Sequence, residues 1–303
     1  MNQPSDQNTL IIIAGPTATG KTALAIQLAL HLGTEIISLD ARQIYKELTI
    51  GTAKPRPEEL GMVRHHFINE IPIHQPYSAG QFERDALERL ESIFQTRKVA
   101  IAAGGSGLYL QALCYGLSEM PEIDPARRSA LSAMSLDQLR EKLQQADPDY
   151  YQTVDKGNAR RLIRALEVYE STGIPYSVFR KRRPVERDFR IILIGIDFER
   201  QELYNRINQR VDSMMKEGLL LEVEGLMEYS ENQAMKTVGY QEFMDYFQGK
   251  CSLEESVELV KRNTRRYAKR QITWFKKYED MRWFSADQIK EIKGYLTALL
   301  ANK

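Results

Sequence analysis

Leu10-Ile11-Ile12-Ile13-Ala14-Gly15-Pro16-Thr17-Ala18-Thr19-Gly20-Lys21-Thr22-Ala23-Leu24-Ala25-Ile26-Gln27-Leu28-Ala29 is one stretch with three textures. A short β-branched apolar run ends at Gly15-Pro16, and a helical pattern begins at Ala23, so the stretch reads as strand, glycine loop, helix. The loop itself, Gly15, Pro16, Thr17, Ala18, Thr19, Gly20, Lys21 and Thr22, satisfies GxxxxGK[ST] in the context that makes the pattern specific for phosphate. Backbone N–H groups and the positive helix end converge there on an anion, Lys21 adds a point charge, and the Thr22 hydroxyl is a candidate ligand for Mg²⁺. The motif does not say whether the phosphates belong to a nucleotide or to some other diphosphate. Read alone it first suggests a nucleoside or small-molecule kinase, or an NTPase. Asp40 and Asp197, each ending an apolar run, are then alternative residues to hold the metal through water.

Working outward, buried-strand runs recur at 35–40 (EIISLD), 99–103 (VAIAA) and 191–197 (IILIGID), with helical stretches between them. Strands alternating with helices argue for an α/β fold, here a P-loop NTPase-like parallel sheet core flanked by helices. Between about Leu117 and Asp188 the texture changes to charged helical segments, broken at Pro121, Pro125, Pro148, Gly173, Pro175 and Pro184. The expected organisation is therefore an all-helical insertion domain at 117–189 within a catalytic core of 1–116 plus 190–303. After Asp197 the chain reads as almost wholly helical, with a basic-aromatic helix at 261–278 and a last helix near 288–300.

The 303 residues carry 42 Lys+Arg against 41 Asp+Glu, so the formal charge of +1 gives no whole-molecule pull toward nucleic acid. Any such binding must come from local patches. Cys114 and Cys251 lie far apart without a CxxC partner, which argues against a zinc site and a disulfide framework. His65 and His66 have no carboxylate or cysteine at ligand spacing and read as structural or channel residues. The first residues are polar, and no apolar run approaches the ~18 residues of a membrane span, so a soluble cytoplasmic protein is expected.

Asp40 opens the segment DARQIYKELTIGTAKP (40–55). At the carboxyl end of a strand in a doubly wound sheet it faces the same crevice as the phosphate loop, as metal ligand, as proton acceptor, or simply as a helix cap. Together with GPTATGKT (15–22), HHFIN (65–69), YSAGQFERDA (77–86), GGSGLYLQAL (104–113), NARRLIRALEVYESTG (158–173), RINQRVDSMMKEGLLLEV (206–223), KTVGYQEF (236–243) and AKRQITWF (268–275), that segment resembles the tRNA dimethylallyltransferases, or tRNA isopentenyltransferases, over nearly the whole chain. The missing C-terminal CxxC/His pattern points to the bacterial type. The family usually has Ser where this chain has Ala41, Thr where it has Ser106, and HHLID where it has HHFIN.

The resemblance implies transfer of a dimethylallyl group from dimethylallyl diphosphate to N6 of adenosine 37, 3′ of the anticodon, in tRNAs reading codons that begin with U. The phosphate loop then holds a leaving diphosphate, with Mg²⁺ as cofactor on Thr22. It further implies Asp40 as acceptor of the N6 proton, Ser106 as the hydroxyl orienting that amine, and Lys21 and Arg210 on the diphosphate. The implied tRNA contacts are Asp40, Ala41, Arg42, Gln43 and Ser106 around the extracted base, and Arg128, Arg160, Arg161, Leu162, Ile163 and Arg164 in the insertion, which would close over the anticodon arm. Taken alone, Arg210 also fits a helix-surface salt bridge, the tract 261–277 a solvated basic face with Trp274-Phe275 in the core, and Gly239-Tyr240 a packing turn. Partners are the tRNA anticodon stem-loop and dimethylallyl diphosphate, with no membrane, for a monomer. A kinase would instead consume ATP, and a nucleotide-regulated RNA-binding protein would hold tRNA without changing it.

Overall fold

The computed structural model describes residues 7–118, 121, 125–180 and 185–301; Pro184 lies outside the described residues. Six strands form one parallel sheet in the order β3-β2-β4-β1-β5-β6, with β1 Thr9–Ala14, β2 Ile36–Leu39, β3 His65–His66, β4 Val99–Gly104, β5 Arg190–Asp197 and β6 Arg282–Ser285. Every residue of β1 is buried, as a central strand covered on both faces must be. Ile11 and Ile13 pack with Leu24, Ala25 and Leu28 of the helix Lys21–Leu32 and with Ile292 and Leu296 of the helix Ile289–Ala301. Strand alternation turns Leu10 and Ile12 to the opposite face. The helix Ala79–Phe94, which contacts β4, buries Phe82, Ala86, Leu90 and Ile93, and Phe82 stacks on Tyr109 with ring centroids 3.9 Å apart.

The chain forms two compact units, one of Met1–Cys114 with Arg187–Lys303 and the other Tyr115–Glu186. Arg187 to Phe189, read from sequence as part of the insertion, belong to the sheet-bearing unit. Arg187 donates to the Leu113 carbonyl (3.0 Å) and pairs with Glu83 (2.7 Å), and Phe189 meets Phe94 at 5.8 Å between ring centroids.

The smaller unit contains the helices Pro125–Ser132, Leu136–Ala146, Pro148–Thr153, Ala159–Thr172 and Tyr176–Arg180, around a core that includes Leu131, Leu139, Leu143, Leu162 and Leu166. Buried Asp147 caps one helix by accepting from the Tyr150 N–H and ties in another through the Ser177 N–H (2.7 Å). Among the described residues no helix is long and apolar enough to cross a membrane.

Candidate active site

Strand register decides which loops meet. Ala14 of β1 pairs with Gly104 of β4, which pairs in turn with Leu39 of β2. The phosphate loop, Asp40 and the Gly105-Ser106 turn therefore leave the sheet at one level, on its carboxyl edge, where α/β sheets bind ligands. Asp197 ends a strand too, but lines neither cavity described below.

Gly20, at φ 79°, supplies the left-handed residue that starts the helix Lys21–Leu32. Ala18 adopts φ 65° without being glycine. Its carbonyl is gripped by Arg206 Nε (2.9 Å), whose guanidinium lies 4.6 Å from the Phe198 ring centre. Thr19 Oγ1 donates to the Pro16 carbonyl (2.8 Å), and Lys21 Nζ donates to that carbonyl and to Thr19 Oγ1 (3.3 Å). Neither Arg206 nor Gln271, which accepts from the Thr17 N–H (3.0 Å), was legible as a loop partner. Arg206 had a usable signal: it stands one helical turn before Arg210.

Two adjoining cavities open on this edge. The first, of about 510 Å³, is lined by Thr17 to Ala23, Asp40, Lys54, Arg210 and residues around them. The second, of about 230 Å³, is lined by Asp40, Ala41, Arg42, Ser106 and Thr264, with Ile207, Val211, Val238 and Val260 as apolar wall. Thr17, Asp40, Thr52, Ala53, Arg210, Met214 and Tyr267 border both.

Asp40 Oδ1 accepts from the N–H groups of Arg42 (2.8 Å) and Gln43 (3.3 Å), so the carboxylate caps its own turn as well as facing the cavities. Ser106 is fixed through its N–H to the Leu39 carbonyl (3.0 Å). Its Oγ accepts from the Tyr109 N–H (3.3 Å), which leaves the hydroxyl proton to donate.

The wall shared by the cavities is braced from behind. Glu222 accepts from the N–H groups of Ile50 (2.7 Å) and Gly51 (3.1 Å) and from the Tyr240 hydroxyl (2.6 Å). Burial first, and Glu222 second, push the Tyr240 hydroxyl far above its ordinary range, so it remains a donor. The Tyr240 ring thus packs a turn, while Gly239 borders the second cavity. Gln43, assigned above to tRNA, donates to the Thr52 and Ala53 carbonyls (3.2 Å each) and accepts from Ser38 (3.3 Å). Its carboxamide is spent inside the protein, although the residue borders the first cavity. A Cβ at Gly51 would sit 2.5 Å from the buried Tyr240 ring. Gly51→Ala is expected to cost about 1–3 kcal/mol of stability, as overpacking does, and to raise the donor KM by moving the wall. Urea unfolding with donor titration checks this; an unchanged midpoint and KM would refute it.

Charge in the first cavity is tuned by burial. Desolvation, then repulsion from Arg210, lowers the Lys21 ammonium to about 7, with Asp40 opposing. Desolvation also lowers Arg210, again opposed by Asp40. A diphosphate arriving there would favour the charged ammonium, so Lys21 would take up a proton on binding between about pH 7 and its ordinary 10.5. Below pH 7 it is already charged and contributes no uptake. Pyrophosphate affinity should accordingly fall as pH rises from 7 to 9, with a proton uptake that Lys21→Met lacks. Calorimetry in buffers of different ionisation enthalpy measures both, and equal uptake in the two proteins would rule the assignment out.

Mg²⁺ takes hard oxygen ligands and commonly uses one or two protein groups, leaving the rest to phosphate and water. Thr22 and Asp40 both line the first cavity, and no group of three or more His, Cys, Asp or Glu able to hold a metal occurs among the described residues. That donor set fits a magnesium diphosphate held mainly through its own oxygens.

The family model described as IPP transferase matches residues 43–278. The chain belongs to the IPP transferase family. A tRNA dimethylallyltransferase of Christiangramia forsetii is 47% identical over 294 residues, covering 95% of this chain and 97% of the relative. The crystal structure of the full-length tRNA isopentenylpyrophosphate transferase of Bacillus halodurans superposes with a TM-score of 0.71 at 34% identity, covering 97% of each chain. A eukaryotic dimethylallyltransferase acting on tRNA aligns with a TM-score of 0.79 at 29% identity, over 92% of this chain and 74% of its own. This IPP transferase is therefore an enzyme of prenyl-type transfer.

Within the helical unit, the Ala159–Thr172 helix carries five of the residues expected to touch RNA, Arg160 to Arg164, and Arg128 stands on the helix Pro125–Ser132. Arg160 and Arg161 are exposed at its first turn, whose N-cap is Asn158. Arg164 (3.6 Å) and Arg128 converge on Glu167, which is 0% exposed; Arg128 grips it through Nε and, at 2.9 Å, Nη2. Leu162 departs from the expectation. Its side chain is wholly inside the helical core and offers RNA nothing, whereas Ile163 is half-buried against that core.

Proposed function

We propose that this IPP transferase moves a dimethylallyl group from dimethylallyl diphosphate to N6 of the adenosine 3′ of the anticodon in tRNA. One observation carries the reading: the phosphate-loop cavity and the Asp40–Ser106 cavity adjoin and share Asp40 and Arg210. A diphosphate and an amine entering from different sides would meet there. The names of the relatives supply tRNA and the dimethylallyl group, and the phosphate loop supplies the place for a diphosphate.

In the reaction the N6 lone pair forms a bond to C1 of the donor, the C1–O bond breaks with its electrons on the diphosphate, and the N6 proton passes to Asp40. The loop amides, Lys21 and Arg210 face the charge that grows on the departing oxygens, which is electrostatic stabilisation set in place beforehand. Arg210 can grip two oxygens at once. Thr22 is the residue to hold Mg²⁺, which would add positive charge against the same oxygens. Ser106 would orient the amine. Base extraction from the anticodon loop costs least where the base is already unpaired. Arg128, Arg160, Arg161 and Arg164 would hold RNA phosphates, and we place the enzyme in the cytoplasm as a monomer.

The test combines protein, Mg²⁺, dimethylallyl diphosphate labelled in its carbon chain, and unmodified tRNA, followed by nucleoside analysis. Label in N6-alkylated adenosine supports the proposal. Label remaining in the donor while added ATP is consumed would replace it with a kinase.

A further inference from the structure

Gln271 lies in the helix Leu253–Phe275, yet its side chain points away from the basic tract and is only 6% exposed. Its two amide ends reach different loops. Oε1 accepts from the Thr17 N–H of the phosphate loop (3.0 Å), and Nε2 donates to the Gly105 carbonyl (2.9 Å). Gly105 precedes Ser106, whose N–H is fixed to the Leu39 carbonyl beside Asp40. A single carboxamide thus spans the gap between the loop that would hold the donor and the turn that carries the Ser106 hydroxyl for the acceptor amine.

The carboxamide offers an acceptor and a donor side by side at the end of a side chain of this length. Glutamate would set a carboxylate against the Gly105 carbonyl, and methionine would leave a buried N–H and C=O unmatched, which is costly. The fit is close on the far side as well, because a Cβ on Gly105 would lie 2.1 Å from Gln271 Nε2. The Thr17 N–H is spent on Gln271, so this side chain acts on the loop's position.

We propose that Gln271 is a positioning residue that sets the separation between the donor's reacting carbon and the attacking amine. The inference rests on the prenyl-transfer reading above. Attack of this kind needs reacting atoms roughly 3–3.5 Å apart, and a misplacement of about 1 Å costs on the order of a hundredfold in rate.

Single-turnover transfer, pyrophosphate affinity, tRNA affinity and thermal unfolding are measured for the native enzyme, Gln271→Met, Gln271→Glu, Gly105→Ala and the Gln271→Met/Gly105→Ala pair. The expected result is a loss of transfer rate on the order of a hundredfold in Gln271→Met, with both affinities within about threefold, a smaller loss in Gly105→Ala, and a pair no slower than the slower single variant. Gln271→Glu keeps size and acceptor and should fail to restore the rate; it carries the test should the methionine variant not fold. Variants that transfer within threefold of native, or whose rate loss is matched by lost pyrophosphate affinity, overturn the role of Gln271. A native enzyme that transfers nothing overturns the function itself.

Discussion

Asp40→Asn lowers dimethylallyl transfer by about 10²–10⁴-fold, the range expected when a positioned proton acceptor is removed, while tRNA binding stays within threefold. The asparagine keeps an oxygen for the Arg42 and Gln43 N–H groups, so the turn that holds residue 40 survives. What disappears is the carboxylate at the junction of the two cavities. The donor side sharpens the prediction. The Asp40 charge favours the protonated forms of both Lys21 and Arg210, so removing it leaves more unopposed positive charge for a diphosphate, and donor affinity should not weaken. Single-turnover rates with donor and tRNA titrations measure all three quantities. A variant within fivefold of native rate, or one whose whole defect lies in donor affinity, would take Asp40 out of the proton transfer.

Arg210→Ala should lower kcat/KM for the donor by about 10²–10³-fold, comparable to losing one preorganised donor aimed at developing charge. Arg210 borders both cavities from the helix Arg200–Lys216, one turn after Arg206, which holds the phosphate loop by the Ala18 carbonyl. Its charge sits where burial makes it expensive, and burial accordingly lowers its pKa. Arg210→Lys keeps the charge but loses the planar fork, so partial recovery is expected. Steady-state kinetics of the three proteins decide it. An alanine variant within threefold of native would return Arg210 to the helix-surface salt bridge that its sequence alone also allows.

The strands that carry the site were legible because each is a run of buried aliphatic residues: β1, β2, β4 and β5 all lie within the runs read from sequence or within a residue of them. β3 and β6 were not legible. They are the two outer strands, only His65–His66 and Arg282–Ser285, and an edge strand of so few half-covered residues needs no apolar run. The basic helix was read from its charges at 261–278, whereas it starts at Leu253 behind a Ser252–Glu255 capping box that the sequence does display.

The site divides in the same way. The phosphate loop, Asp40, Ser106 and Arg210 announce themselves by motif or resemblance, and the sheet register brings the first three to one edge. Gln271 and the Glu222–Tyr240 brace do not, because each acts on a loop far away in sequence through backbone hydrogen bonds that no local spacing encodes, and Arg206 is marked only by its place one helical turn before Arg210. Gln43 and Leu162 show the converse. Resemblance to whole family segments gave them an RNA role, and the fold has engaged their side chains inside the protein.

On the proposed mechanism the phosphate loop holds a group that departs, not a phosphoryl donor. This is tested most directly by following dimethylallyl diphosphate labelled with ³²P, with Mg²⁺, unmodified tRNA and no nucleotide present. One inorganic pyrophosphate released for each adenosine alkylated is the result expected here. Alkylation or pyrophosphate release that requires ATP, or radioactive phosphate appearing on the acceptor, would contradict it.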